Sequence, residues 1–117
     1  MTMIVDRDNG CCLARFPHTA VSFADRLRGL IGRRFDDTMD GMIFPRCGAV
    51  HTCFMGMAVD LLFLDRSDRV VRIDHRVPPW RLCRRHAAAV TVVELPPGRL
   101  ASAGVAEGHQ IVWSSHL

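Results

Sequence analysis

His51, Met55 and Asp60 are the residues best placed to do chemistry, because they stand inside an apolar run, GMIFPRCGAVHTCFMGMAVDLLFLD, at residues 41–65. A carboxylate or imidazole removed from water costs several kcal/mol unless it is paired. Two arrangements meet that demand. In one, His51 is a neutral general base, held in one tautomer by the Asp60 carboxylate, as in a small hydrolase or transferase. In the other, His51 donates to a backbone carbonyl and Asp60 pairs with a helix arginine such as Arg26. That second pair would fix helix against sheet, and breaking it would cost about 3–5 kcal/mol. The structural arrangement is the expectation, with the catalytic one kept as the alternative.

Cysteine and histidine offer a metal site. Cys47, His51 and Cys53 read C-x3-H-x-C, and Cys83-x2-His86 supplies two further ligand types for a tetrahedral zinc. The spacing is not the C-x2-C of the usual knuckles, so no metal and no cofactor is expected. Arg46 beside Cys47 would favour a thiolate, but an incidental loop thiol is the simpler reading. Trp80, Arg81, Arg84, Arg85 and His86 mix an aromatic with cations, which could stack a base or hold a phosphate. The plainer expectation is a solvated loop anchored by Trp80. Met39, Met42, Met55 and Met57 gather around the central segment, where core packing is expected over a soft-metal or docking surface.

Composition narrows the classes. The chain has 117 residues, enough for one domain spanning 1–117. A hydrophobic share of 49% excludes a disordered chain. All 15 basic residues are arginine and there is no lysine, a pattern of codon usage more than of anion binding. A net charge of +3 is too small for a nucleic-acid partner. The 5 cysteines are an odd count, unlike a secreted disulfide framework, and MTMIVDRDNG carries no apolar leader. The expected location is therefore cytoplasmic. No run is long enough to span a membrane.

The elements that would position these residues follow from local pattern. Two short strands around Met3–Val5 and Cys11–Phe16 flank Asp8-Asn9-Gly10, whose Asn-Gly pair predicts a tight turn with positive φ angles. Ser22 caps a helix whose Phe23, Leu27, Leu30 and Ile31 form one apolar stripe, with Gly32 ending it. Strands are predicted at 41–44, 50–54 and 58–64. The last is apolar on both faces and forms a hairpin with 69–74. Two prolines make 77–85 a loop. A buried strand at 90–95, a short helical piece at 99–103 and a final strand at 110–114 complete the chain. The expected class is α+β: a small β-rich, partly closed antiparallel barrel with one short N-terminal helix.

With these residues in place, the chain resembles the DUF192 family of small, uncharacterised, mostly bacterial domains. The landmarks are Arg26-x-Arg28-Gly29-Leu30-Ile31-x-Arg33, Gly41-Met42-Ile43-Phe44, His51-Thr52-x-Phe54-Met55, Val59-Asp60-Leu61-Leu62-Phe63-Leu64-Asp65, Val93-Glu94-Leu95 and Gly104-Val105-x-x-Gly108. They cover residues 19–113. The resemblance implies a small β-rich barrel with a short helix and carries no reaction. Three departures stand out. No leader is legible, where many members have one. His109 follows Gly108, where many members have an acid. Met57-Ala58 replaces a polar Asn-Thr pair.

The functional expectation is a binding or accessory module with an anion or small-ligand site. Its candidate residues are Arg26, Arg28, His51, Met55, Asp60, Trp80 and Arg81. The alternatives are the small enzyme based on His51 and Asp60, and a protein-interaction subunit that offers strand edges. Ligand identity, protein partner and oligomeric state are not legible.

Overall fold

A computed structural model describes residues 2–20, 35–50, 57–81 and 84–114. Among them the chain forms β1 (Met3–Asp6), β2 (Cys12–Ala14), β3 (Pro17–Thr19), β4 (Gly41–Pro45), β5 (Ala49–Val50), β6 (Val59–Leu64), β7 (Val70–Val77), β8 (Arg84–Arg85), β9 (Thr91–Leu95), α1 (Arg99–Ser102) and β10 (Ile111–Ser114). The predicted helix at 22–31 and most of the strand at 50–54 lie outside the described residues.

The strands assemble into three sheets, ordered β10-β1-β2, β3-β4-β9-β6-β7 and β5-β8. This corrects the expected α+β barrel. The fold is mostly β, its sheets do not close into a barrel, and the described helix is a single turn. The central sheet is also mixed, because β3 runs parallel to β4. Closure would require β3 to pair with β7. β3 is three residues long and opens on Pro17, which has no N–H to give a ladder.

The first hairpin forms where the Asn-Gly signal predicts it, by a different turn. Of the pair, only Gly10 has positive φ, at 77°. The loop is closed instead by the Gly10 N–H on the Asp6 carbonyl, at 2.7 Å, and by the Asp6 N–H on the Cys11 carbonyl, at 2.9 Å.

β6 and β9 lie at the centre of the five-stranded sheet, which is why both read as apolar on two faces. One face gathers Ile43, Leu62, Leu64, Val93 and Leu95 with Ile4, Leu13, Leu100 and Ile111. The three-stranded sheet and α1 therefore pack on that side. The opposite face gathers Met42, Phe44, Val59, Leu61, Phe63, Val77 and Val92 with Ala20, Met39 and Ala89. Each fully buried Leu or Phe contributes about 1.5–3 kcal/mol, so this two-sided strand pair dominates the core.

Candidate functional site

Asp60 is fully buried on the first face. β6 and β7 shift register between Val59 and Leu61: two steps on β6 face the three steps from Asp74 to Val77. This bulge turns Arg76 to a φ of 49°. Asp60 Oδ1 accepts the Arg76 N–H at 2.8 Å, and Oδ2 accepts the Leu100 N–H at 2.9 Å. Gly98, the residue before α1, supplies no side-chain cap. Asp60 thus satisfies a first-turn N–H of α1 from a distant strand, and stitches the bulge to the helix. Among the described residues, the partners of Asp60 are these two backbone donors. His51, Met55, Arg26 and Arg28 lie outside the described residues.

The second face holds Glu94, which in the sequence stands out only as part of the Val93-Glu94-Leu95 landmark. β9 alternation turns Glu94 away from Leu95 and onto the side of Val92. The ladder pairs it with Met42 on β4 and Leu61 on β6. Extending the row outward brings His18 on β3 and Asp74 on β7. Glu94 is 3% exposed, and its Oε2 is buried with no hydrogen-bond partner. Burial raises its pKa from 4.5 to about 8. The available signal was a lone acid in TVVEL, a strand whose other residues are apolar or β-branched.

A charged border lies at the β7 end of that row. Arg72 Nε donates to Asp74 Oδ1 at 2.7 Å, and Arg72 Nη1 donates to the Arg85 carbonyl at 2.7 Å. The Arg72 guanidinium also sits 5.4 Å from the Phe63 ring centre. Arg84 Nε approaches Asp74 Oδ2 at 3.2 Å but without hydrogen-bond geometry.

The remaining candidates are dispersed. Cys47 is half-buried and its thiol donates to the Ala49 carbonyl at 2.9 Å. His86 Nδ1 accepts the Ala88 N–H at 3.0 Å. His86 lines an open hollow with Gly48, Ala49, Arg85, Ala87 and Ala89. Cys53 and Cys83, which belong to the unfavoured zinc arrangement, lie outside the described residues. Trp80 is 61% exposed, and Arg81 beside it is also exposed.

Among the described residues, the group with metal-ligand spacing is Asp6, Asp8 and His109. Its polar atoms are engaged locally. His109 Nδ1 lies 2.7 Å from Asp6 Oδ2, Asp6 Oδ1 accepts the Asp8 N–H, and Asp8 Oδ2 accepts the Gln110 N–H. These bonds tie the first hairpin to β10. His109 is therefore paired with a buried acid of β1.

Comparison with known proteins agrees with the landmarks. The model of DUF192, described as an uncharacterised family, matches residues 14–113. The chain belongs to the DUF192 family. A solved protein of unknown function from Novosphingobium aromaticivorans is similar, with a TM-score of 0.75 and 21% identity over 96% of this chain and 83% of that one. A candidate transcription regulator from Sinorhizobium meliloti superposes with a TM-score of 0.80 and 20% identity, over 96% of this chain and 91% of that one. At these identities the likeness shows the fold alone. No curated protein matches the chain. No helix among the described residues is long and apolar enough to cross a membrane.

Proposed function

We propose that this DUF192 protein is a small-ligand-binding module whose site lies on the second face of the central sheet, with Glu94 as its polar anchor. One observation carries the reading: Glu94 Oε2 is sealed from water and lacks a partner. The same fold satisfies its other fully buried acids, giving Asp60 two backbone donors and Asp6 an N–H and an imidazole. A buried polar atom left unpaired in such a setting marks a position kept for something other than stability.

Asp60 supports a scaffold role more than a catalytic one. Both its oxygens are occupied by N–H groups that hold β7 and α1, and its face is opposite to that of Glu94. This weakens the enzyme alternative, in which Asp60 would orient His51.

The experiment is a comparison of Glu94→Leu, Glu94→Gln and the unaltered protein by thermal unfolding at pH 7. A residue kept for function at the expense of stability gives a higher melting temperature when replaced by Leu. A clear fall in both variants would make Glu94 a structural residue and end the reading. A thermal-shift screen of metabolites and anions on the unaltered protein, Arg26→Ala and His51→Ala then looks for the ligand, because a true ligand stabilises the native state by mass action.

A further inference from the structure

The two-stranded ribbon of β5 and β8, with the turn that follows it, frames an open hollow of about 420 Å³. Gly48, Ala49, Arg85, His86, Ala87 and Ala89 line it. The ribbon pairs Ala49 with Arg85 and Val50 with Arg84. The chain then turns over residues 86–89, closed by the Ala89 N–H on the His86 carbonyl at 3.1 Å. The His86 N–H ties this turn back to the Gly48 carbonyl at 3.3 Å. Gly48 permits the close fit, because a Cβ there would come within 2.7 Å of the Ala89 carbonyl oxygen.

Acceptors and donors in this hollow are unequal. The carbonyls of Gly48 and His86 already accept backbone N–H groups. The Arg85 carbonyl accepts Arg72 Nη1 at 2.7 Å, and the Ala49 carbonyl accepts the Cys47 thiol at 2.9 Å. The donors are open. Among the described residues, the exposed Arg85 guanidinium has no ion pair or hydrogen bond, and the Ala87 N–H has no acceptor. His86 Nδ1 accepts the Ala88 N–H at 3.0 Å, which places the proton of the neutral ring on Nε2. That Nε2–H also has no acceptor among the described residues.

Charge follows the same pattern. Arg72 and Arg84 share the one Asp74 carboxylate, so Arg85 adds a positive charge that no acid answers among the described residues. No acidic side chain lines the hollow. A concave surface of one charge sign draws in the opposite ion. We propose that this hollow binds the phosphate group of a small molecule, with Arg85 supplying the charge and His86 Nε2–H and the Ala87 N–H supplying neutral donors. The site is separate from the one at Glu94 and does not depend on it. A phosphate group brings three acceptor oxygens and a charge of about −1.5 to −2 at pH 7, which suits several donors better than the two oxygens and single charge of a carboxylate.

The test is an NMR titration at pH 7 and low salt, following the backbone amides of Arg85, His86 and Ala87 and the His86 ring. The probes are glycerol 3-phosphate, inorganic phosphate and acetate. The proposal expects saturable shifts with both phosphates, glycerol 3-phosphate binding at least as tightly and acetate clearly weaker. The Arg85 side chain is exposed and unpaired, so Arg85→Ala leaves the unfolding curve unchanged while weakening phosphate binding about tenfold, the lower end for a hydrogen bond to a charged group. Arg66→Ala, at an exposed turn, leaves binding unchanged. Acetate binding as tightly as phosphate overturns the ligand class, as does inorganic phosphate binding while glycerol 3-phosphate is excluded. Shifts that do not saturate, or that are equally strong in Arg85→Ala, overturn the site itself.

Discussion

Asp60 and Glu94 lie on neighbouring strands one register step apart, since Asp60 pairs with Leu95 and Glu94 with Leu61, and their carboxyls face opposite sides of the sheet. They share burial and differ in what they meet. Asp60 holds two N–H groups, while one oxygen of Glu94 holds none. This difference separates a fully satisfied buried acid from one left with an unpaired oxygen within a single strand pair.

Replacing Asp60 should be costly. Asp60→Ala leaves the N–H groups of Arg76 and Leu100 without their acceptor. A loss of about 2–6 kcal/mol is expected, because each donor left without an acceptor away from water costs about 1–3 kcal/mol. Asp60→Asn keeps one acceptor and should lose less. Urea unfolding checks this: the midpoint should fall with an unchanged slope.

Glu94 should make stability depend on pH. Its folded pKa, about 8, is above the unfolded value of 4.5. Between those values the folded state holds a proton that the unfolded state has released, so stability falls as pH rises. It is complete below pH 4.5 and levels off above pH 8. His18 and Asp74 end the same row and are the groups to hold in view. Unfolding curves across this window should slope downward for the unaltered protein and lose most of that slope in Glu94→Gln.

Gly98 should resist substitution. Its φ is 88°, and an added Cβ would come within 2.8 Å of Arg76 Nη2. Gly98→Ala should cost about 1–2 kcal/mol, the price of a left-handed backbone for an L-residue. Arg76 can swing its terminal guanidinium aside, so Arg76→Ala should recover little of the loss. Denaturation of the single and double variants measures both.

The two arginines on Asp74 should be unequal. Arg72 combines a 2.7 Å bond to Asp74, a bond to the Arg85 carbonyl and the Phe63 ring. Arg84 makes one 3.2 Å approach of poor geometry. Arg72→Ala is expected to cost about 1–2 kcal/mol and Arg84→Ala under about 0.5 kcal/mol. A double-mutant cycle with Asp74→Ala reads the couplings directly.

Much of the strand framework was legible because its signals are local. The two-sided apolar run Leu61-Leu62-Phe63-Leu64, the hairpin into β7 and the strand before Pro96 follow from period and turn residues. Sheet closure was not legible, because it depends on which edges meet. The short, proline-led β3 and the bulge at Arg76 decide that at long range. The role of Asp60 was half legible. An acid in an oily strand announces that it needs partners, but the partners are main-chain groups 16 and 40 residues away. Glu94 was available from the same argument and was passed over, since its isolation appears only when β4, β6 and β9 are set side by side.

Carboxyl-carbon NMR titration of Glu94 decides whether it is an unpaired, neutral acid. Its carboxyl should still be protonated at pH 7 and titrate near 8, with Asp60→Asn leaving that value in place. A Glu94 carboxyl titrating in the ordinary range near 4.5 would show an acid that is ionised and paired.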